Sequence, residues 1–241
     1  MNDLVVYKDN YLIEASYKLT LAEQRLMLYC ISKLNPQDPQ QKQTITIEEF
    51  IKQFPDVKPN NAYKQIKTAI DNLYERSIKV KDPKRTKLFR WIQSAEYQND
   101  EGVATIEFSN SVMPYLCQLE RQFTKYQLRN ISGFKRTYPI RLYELLTQYR
   151  SLKSRIISVL DLRIALQLND KYKDYKELRK QVIDPSINEI NEKSDLKVAY
   201  KPIRKGRSID SLEFYIEVDT QIQMFENQRN IKNLKNQIKK Q

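Results

Sequence analysis

Histidine is absent from these 241 residues, and the chain holds only two cysteines and three glycines. Without an imidazole there is no His-ligated metal, no Ser-His or Cys-His nucleophile pair and no histidine base. Two thiols are too few for a cysteine-rich zinc site. Strand-nicking enzymes that hold a metal between paired histidines are excluded, despite sixteen tyrosines. Gly102, Gly133 and Gly206 stand far apart, so neither a P-loop nor a dinucleotide fingerprint can be written. No catalytic residue, metal or cofactor is expected. No run approaches the roughly 20 apolar residues of a membrane span, and the start Met-Asn-Asp-Leu-Val-Val-Tyr-Lys lacks a signal-peptide pattern. A cytoplasmic location follows. Cys30 and Cys117 sit in apolar helical settings and read as buried reduced thiols. Glu48 and Glu49 fit the first turn of a helix, where acids complement the dipole, better than a magnesium site.

What is present in excess is positive charge: 42 Lys and Arg against 30 Asp and Glu, net +12. Residues 226–241 hold five basic residues and one acid, which leaves +8 on the rest. The body is itself basic, which favours nucleic acid or an anionic membrane surface as partner.

The charge is patterned between Lys171 and Val218. The spacing predicts a helix from Lys171 to about Ser194, with Tyr175, Leu178, Val182 and Ile183 on its apolar side. Lys173, Lys176 and Lys180 recur opposite at i, i+3 and i+7, with Arg179 at the edge, forming a stripe able to follow a phosphate backbone. A hairpin follows, with Lys201, Arg204, Lys205 and Arg207 around Gly206 and the alternating strand Leu212, Phe214, Ile216, Val218 behind it. Helix plus wing is the plan of a winged helix-turn-helix.

The same plan is predicted once before. Thr20 and Glu23 form a capping box opening a helix that ends near Asn35-Pro36. Thr44 to Ile47 reads as a strand running into a helix to Phe54, which Pro55 and Pro59 stop. A further helix, capped by Asn60 or Asn61, buries Ala62, Ile66, Ala69, Ile70 and Leu73 and projects Lys64 and Lys67. Residues 81–87, with Lys81, Lys84 and Arg85, read as a basic turn, and 88–97 with 103–108 as a hairpin. Ser111 to Glu120 reads as an interrupted helical connector, and Phe123 to Arg136 is basic and aromatic together. A strong helix from Tyr138 to Tyr149, a strand at 156–159 and a positioning helix capped by Asp161 lead to the second basic helix. The expected architecture is α+β, two tandem winged-helix domains joined by a long connector helix. Their bounds are 1–122 and 123–220, followed by a basic tail, 221–241, as an amphipathic helix or a disordered arm.

Leu19-Thr-Leu-Ala-Glu-Gln-Arg25-Leu, Ile140-Arg141-Leu-Tyr-Glu144-Leu-Leu, Lys171-Tyr-Lys-Asp-Tyr-Lys-Glu-Leu-Arg, Glu189-Ile-Asn191 and Lys205-Gly-Arg207 resemble the iteron-binding replication initiator (Rep) proteins of theta-replicating plasmids. The strings span most of residues 1–220 in the family's order. The resemblance implies a bacterial, plasmid-encoded protein that binds short direct repeats of double-stranded DNA as a monomer, promotes origin opening and recruits host initiator and helicase. It also implies a repressing homodimer formed through the first domain. Two modules reading major grooves about 10 base pairs apart suit a site of about 20 base pairs. Lys173, Lys176, Arg179 and Lys180 would enter a major groove, with Arg179 on a guanine edge; Lys201, Arg204, Lys205 and Arg207 would follow the backbone or minor groove. Asn61, Lys64, Lys67, Lys81, Lys84 and Arg85 would make a weaker first-domain footprint. Two other classes fit the residues: a winged-helix transcriptional repressor that binds an operator without opening it, and a structural protein of an anionic membrane surface.

Overall fold

A computed structural model describes residues 4–81, 84–98, 102–119 and 122–219. Two modules share one order of parts. In the first, helix α2 (Leu21–Ser32) is buried on every side from Glu23 to Ile31, as a central core helix must be. The Thr20 hydroxyl accepts the Glu23 N–H, and the Glu23 carboxylate accepts the Thr20 N–H, so the expected capping box is formed. Strand β2 (Lys42–Thr46) leads into α3 (Ile47–Gln53), whose N-cap Thr46 accepts from the Glu49 N–H. Helix α4 (Pro59–Glu75) packs Ala62, Ile66, Ala69, Ile70 and Leu73 inward. It begins at Pro59, whose missing N–H costs nothing in a first turn. Asn60 and Asn61 are therefore helical, and neither caps it.

After α4 the chain forms two hairpins rather than one. Strands β3 (Ser77–Lys81) and β4 (Thr86–Arg90) pair with each other, and β5 (Ile92–Gln98) pairs with β6 (Val103–Phe108). The expected continuous strand over 88–97 breaks at Trp91, whose fully buried ring turns the chain into the core. The first wing is therefore β5–β6, and Lys81, Lys84 and Arg85 of the predicted basic turn belong to the separate β3–β4 hairpin. Beyond it, residues 111–119 hold a single 3-10 turn (Met113–Tyr115) in place of the expected helical connector.

The second module begins with α6 (Thr137–Thr147), again buried throughout its length from Pro139 onward. Strand β8 (Ser154–Ser158) leads into α7 (Val159–Ala165). The N-cap is Ser158, accepting from the Asp161 N–H, so Asp161 stands at N3 and is not the cap. A composite helix spans Tyr175 to Lys193 and is followed by the wing strands β9 (Leu196–Lys205) and β10 (Ser208–Val218). Both sheets place the early strand beside the last wing strand, in the orders β2-β6-β5 and β8-β10-β9.

The modules are tied by the N-terminal segment, whose sequence reads as no more than a short apolar lead. Strand β1 (Val5–Asp9) pairs antiparallel with β7 (Phe123–Gln127) across more than a hundred residues of sequence. After β1 come the short helix α1 (Asn10–Glu14) and Tyr17; before α6 comes the short helix α5 (Arg129–Ser132). Here lies a buried polar cluster. Glu144 of α6 pairs with Lys8 Nζ at 2.8 Å and Arg141 at 2.7 Å, and accepts the Tyr126 hydroxyl at 2.8 Å. Arg141 also donates to the Ile13 and Ala15 carbonyls. Arg25 of α2 reaches the Phe134 carbonyl at 2.7 Å, closing a second link. The tail, residues 221–241, lies outside the described residues.

Candidate nucleic-acid interface

The composite helix of the second module carries the strongest cationic face. It starts at Tyr175 rather than Lys171. Tyr172 sits at φ 52°, which ends any helix approaching from the N-terminal side, and Arg163 clamps the carbonyls of Asn169, Lys171 and Tyr172. Asp174 then caps α8 (Tyr175–Leu178) by accepting the Lys176 N–H. Lys173 is thus displaced from the helix into the preceding turn, where it faces Asp170 at 3.5 Å with both side chains exposed.

From Arg179 to Ile183 the helix widens into one π turn before α9 (Asp184–Lys193). The cause is in the sequence. Pro185 has no N–H to give and would drive its ring against the carbonyl four residues earlier; a π turn there relieves the clash and often marks a functional site. Lys176, Arg179 and Lys180 remain exposed and together line an open groove of about 640 Å³. Lys176 and Lys180 have no carboxylate partner among the described residues, whereas Arg179 Nε stands 3.2 Å from Asp184.

The far wall of that groove is formed by Lys135 and Arg136, in the loop before α6. Glu189, 5% exposed, accepts the Lys135 N–H at 2.6 Å and holds the Arg136 guanidinium at 3.4 Å, and Arg136 also donates to the Pro185 carbonyl. Sequence reasoning marks this stretch as basic and aromatic but leaves it out of the site. The available signal is two cations directly before a Pro-bearing helix.

On the wing, Gly206 adopts φ 62° with open space around it, the backbone a tight turn between β9 and β10 needs. Arg204, Lys205 and Arg207 surround it, exposed and without a carboxylate partner among the described residues. Lys201 differs. It stands lower on β9, 2.8 Å from Glu213, and hydrogen bonds to Glu213 and Tyr215 raise its ammonium pKa. Much of its charge is already matched.

In the first module, Asn61 and Lys64 lie exposed on α4, and Lys67 lies against the ring of Tyr97, 5.1 Å from its centroid. Lys81, Lys84 and Arg85 lie on the β3–β4 hairpin, a sheet separate from that of the wing. The site residues of the second module thus fall into a groove-lining set and a wing-tip set, with Lys173 and Lys201 in neither, and those of the first into two groups. No helix among the described residues is long and apolar enough to cross a membrane.

Comparisons with known proteins match two successive family models to the chain. The family model described as Initiator Replication protein, WH1, matches residues 5–147, and Initiator Rep protein, WH2, matches residues 158–216. A replication initiation protein of Escherichia coli is 31% identical over 236 residues, covering 93% of this chain and 73% of the relative. An uncharacterised 27.6 kDa protein of Escherichia coli is 28% identical over 229 residues, 86% of this chain and 93% of its own length. Among solved structures, the Pi initiator protein in complex with iteron DNA superposes with a TM-score of 0.78 at 23% identity, over 91% of this chain and 99% of that one. At that identity the likeness speaks for the fold: two winged-helix domains on one chain.

Proposed function

Because the chain belongs to the initiator replication protein family, both of whose winged-helix models match it, we propose that it is a plasmid replication initiator that binds iteron-type direct repeats. The repeated topology carries this reading: helix, strand, helix, exposed cationic helix and wing occur twice on one chain. Two such modules in tandem address major grooves about 10 base pairs apart, giving a site of about 20 base pairs. Modules joined head to tail, with unequal surfaces, suit a direct repeat rather than a palindrome.

Within this reading the C-terminal domain, residues 123–220, supplies most of the sequence discrimination. Arg179 contacts a guanine edge with its two terminal guanidinium nitrogens, while Lys173, Lys176 and Lys180 set register on phosphates. Arg204, Lys205 and Arg207 follow the backbone beside the wing, and Lys201 adds a weaker contact. The N-terminal domain, residues 1–122, adds phosphate contacts through Asn61, Lys64, Lys67, Lys81, Lys84 and Arg85, and is the surface through which two copies form a repressing dimer. The monomer is the initiating form. It bends an A·T-rich duplex with contact energy alone, then delivers host initiator and helicase, which supply the nucleotide-driven work.

The test is a mobility shift with direct repeats found beside the gene, followed by permanganate probing of the adjacent A·T-rich stretch with host initiator present. Competitor-resistant binding to the repeats with new thymine reactivity is expected. Binding without reactivity would make the chain a repressor, and binding erased by random competitor DNA would remove the function altogether. Arg179→Ala is expected to cost about 1–3 kcal/mol at one base pair and leave the others as they were.

A further inference from the structure

Three side chains from two elements meet at the π turn. The Asp184 N–H donates to the Arg179 carbonyl, closing the turn. Its carboxylate is engaged on both sides: Oδ2 stands 3.2 Å from Arg179 Nε, and Oδ1 accepts the Tyr200 hydroxyl at 2.7 Å. Tyr200 belongs to β9, the first strand of the wing. One aspartate therefore links the wing to the arginine.

The first module repeats the tyrosine–aspartate contact, with its cation on the tyrosine ring rather than on the carboxylate. Tyr97, on its first wing strand β5, donates to Asp71 of α4 at 2.7 Å, and Lys67 lies over the Tyr97 ring. Ile66-Lys67 and Ile70-Asp71 in α4 correspond to Leu178-Arg179 and Ile183-Asp184, each a buried apolar residue followed by a more exposed charge. The cation precedes the aspartate by four residues in the α-helix and by five across the π turn, which closes its hydrogen bonds one residue later. The extra residue is absorbed by the wider turn. The wing tyrosine on a helix aspartate therefore recurs in both modules, while the ion pair to the aspartate belongs to the second alone among the described residues.

We propose that Asp184, fixed by Tyr200, is a positioning residue that holds the Arg179 guanidinium in register with one base pair, so that wing and recognition helix read DNA as one unit. This rests on the DNA-reading function above. The Arg179–Asp184 pair is half-exposed, so its contribution to stability is small and its effect is on orientation. An arginine ordered before binding loses less rotamer freedom on reaching the base edge, which concentrates preference at one position. Asp184 also places a negative charge beside phosphates, so neutralising it strengthens attraction to any duplex. Sharper reading and weaker general attraction together distinguish this role from a structural one.

The full chain and the variants Asp184→Asn, Tyr200→Phe, Arg179→Ala and the double variant Asp184→Asn with Arg179→Ala are each bound to duplexes randomised over roughly 22 base pairs. The bound fraction is sequenced, and affinity for one random-sequence duplex is measured. Asp184→Asn should lower base preference about fivefold or more at the position Arg179→Ala affects, with affinity for the random duplex unchanged or higher. Tyr200→Phe should lose part of the same preference, and carries the test by itself if Asp184→Asn fails to fold. The double variant should lose no more preference than Arg179→Ala. Loss spread evenly over all positions, or adding in full to that of Arg179→Ala, overturns the brace and leaves Arg179 as a reader. Arg179→Ala without loss at any position overturns the proposal, and a wild type that enriches no sequence overturns the DNA-reading function with it.

Discussion

Glu144 is the residue on which the junction of the two modules most depends. Its carboxylate is fully buried and serves two buried cations, Lys8 and Arg141, together with the Tyr126 hydroxyl. Burial alone would raise the carboxyl pKa, but the Lys8 ammonium and Arg141 guanidinium outweigh it and hold the group below the usual range. Replacing Glu144 by Gln keeps the shape and strands both cations, so Glu144→Gln should cost about 3–5 kcal/mol, read as a lower urea midpoint at unchanged slope. A folded-state pKa below the unfolded one of about 4.3 means the stabilisation is complete above that pH and is lost as pH falls through the folded value. Acid titration of the wild type should therefore steepen below about pH 4.3, and Glu144→Gln should lack that component. The exposed Lys173–Asp170 pair offers the contrast, since breaking it should change stability by under about 1 kcal/mol.

At the scale of elements, the two modules differ in how far their sequences announce them. The capping box Thr20 and Glu23 and the alternation Leu212, Phe214, Ile216, Val218 are local patterns, and both elements form where they predict. Thr20→Ala should cost about 1 kcal/mol, measured by thermal or urea unfolding. The N-terminal edge of the composite helix is not legible. Lys171 to Lys173 favour a helix by composition, yet the positive φ of Tyr172 and the carbonyl clamp of Arg163 are tertiary effects. The π turn is hidden for a related reason: Pro185 signals a disturbance but not whether the helix ends, kinks or widens. Strand β1 escapes sequence reasoning because five residues too short to show a period pair with a partner far along the chain. Of the candidate site, the lysines and arginines of the composite helix and wing are legible as surface charge. Lys135, Arg136 and the partial neutralisation of Lys201 by Glu213 require the fold. Changing Arg204, Lys205 and Arg207 together to Gln should weaken binding to every duplex alike and lower the salt slope by about 0.9 for each phosphate left without its cation. Isotherms across salt concentrations read this directly.

For the whole molecule, a net charge of +8 lies on two modules of the same topology but unequal surface, and the tail supplies the rest of the +12. The second gathers its cations into one groove and one wing tip, and the first divides them between α4 and the β3–β4 hairpin. The buried cluster at Glu144 and the β1–β7 pairing join the modules into one body, so under the proposed function their contacts with DNA are coupled by geometry rather than by a loose linker. That joint reading is tested most directly by methylation interference on a duplex selected by the full chain. Two clusters of major-groove guanine contacts about 10 base pairs apart, in the same orientation, are expected, with Arg179→Ala erasing a guanine from only one of them. A single cluster, or two clusters in mirror orientation, would contradict a tandem two-module reader.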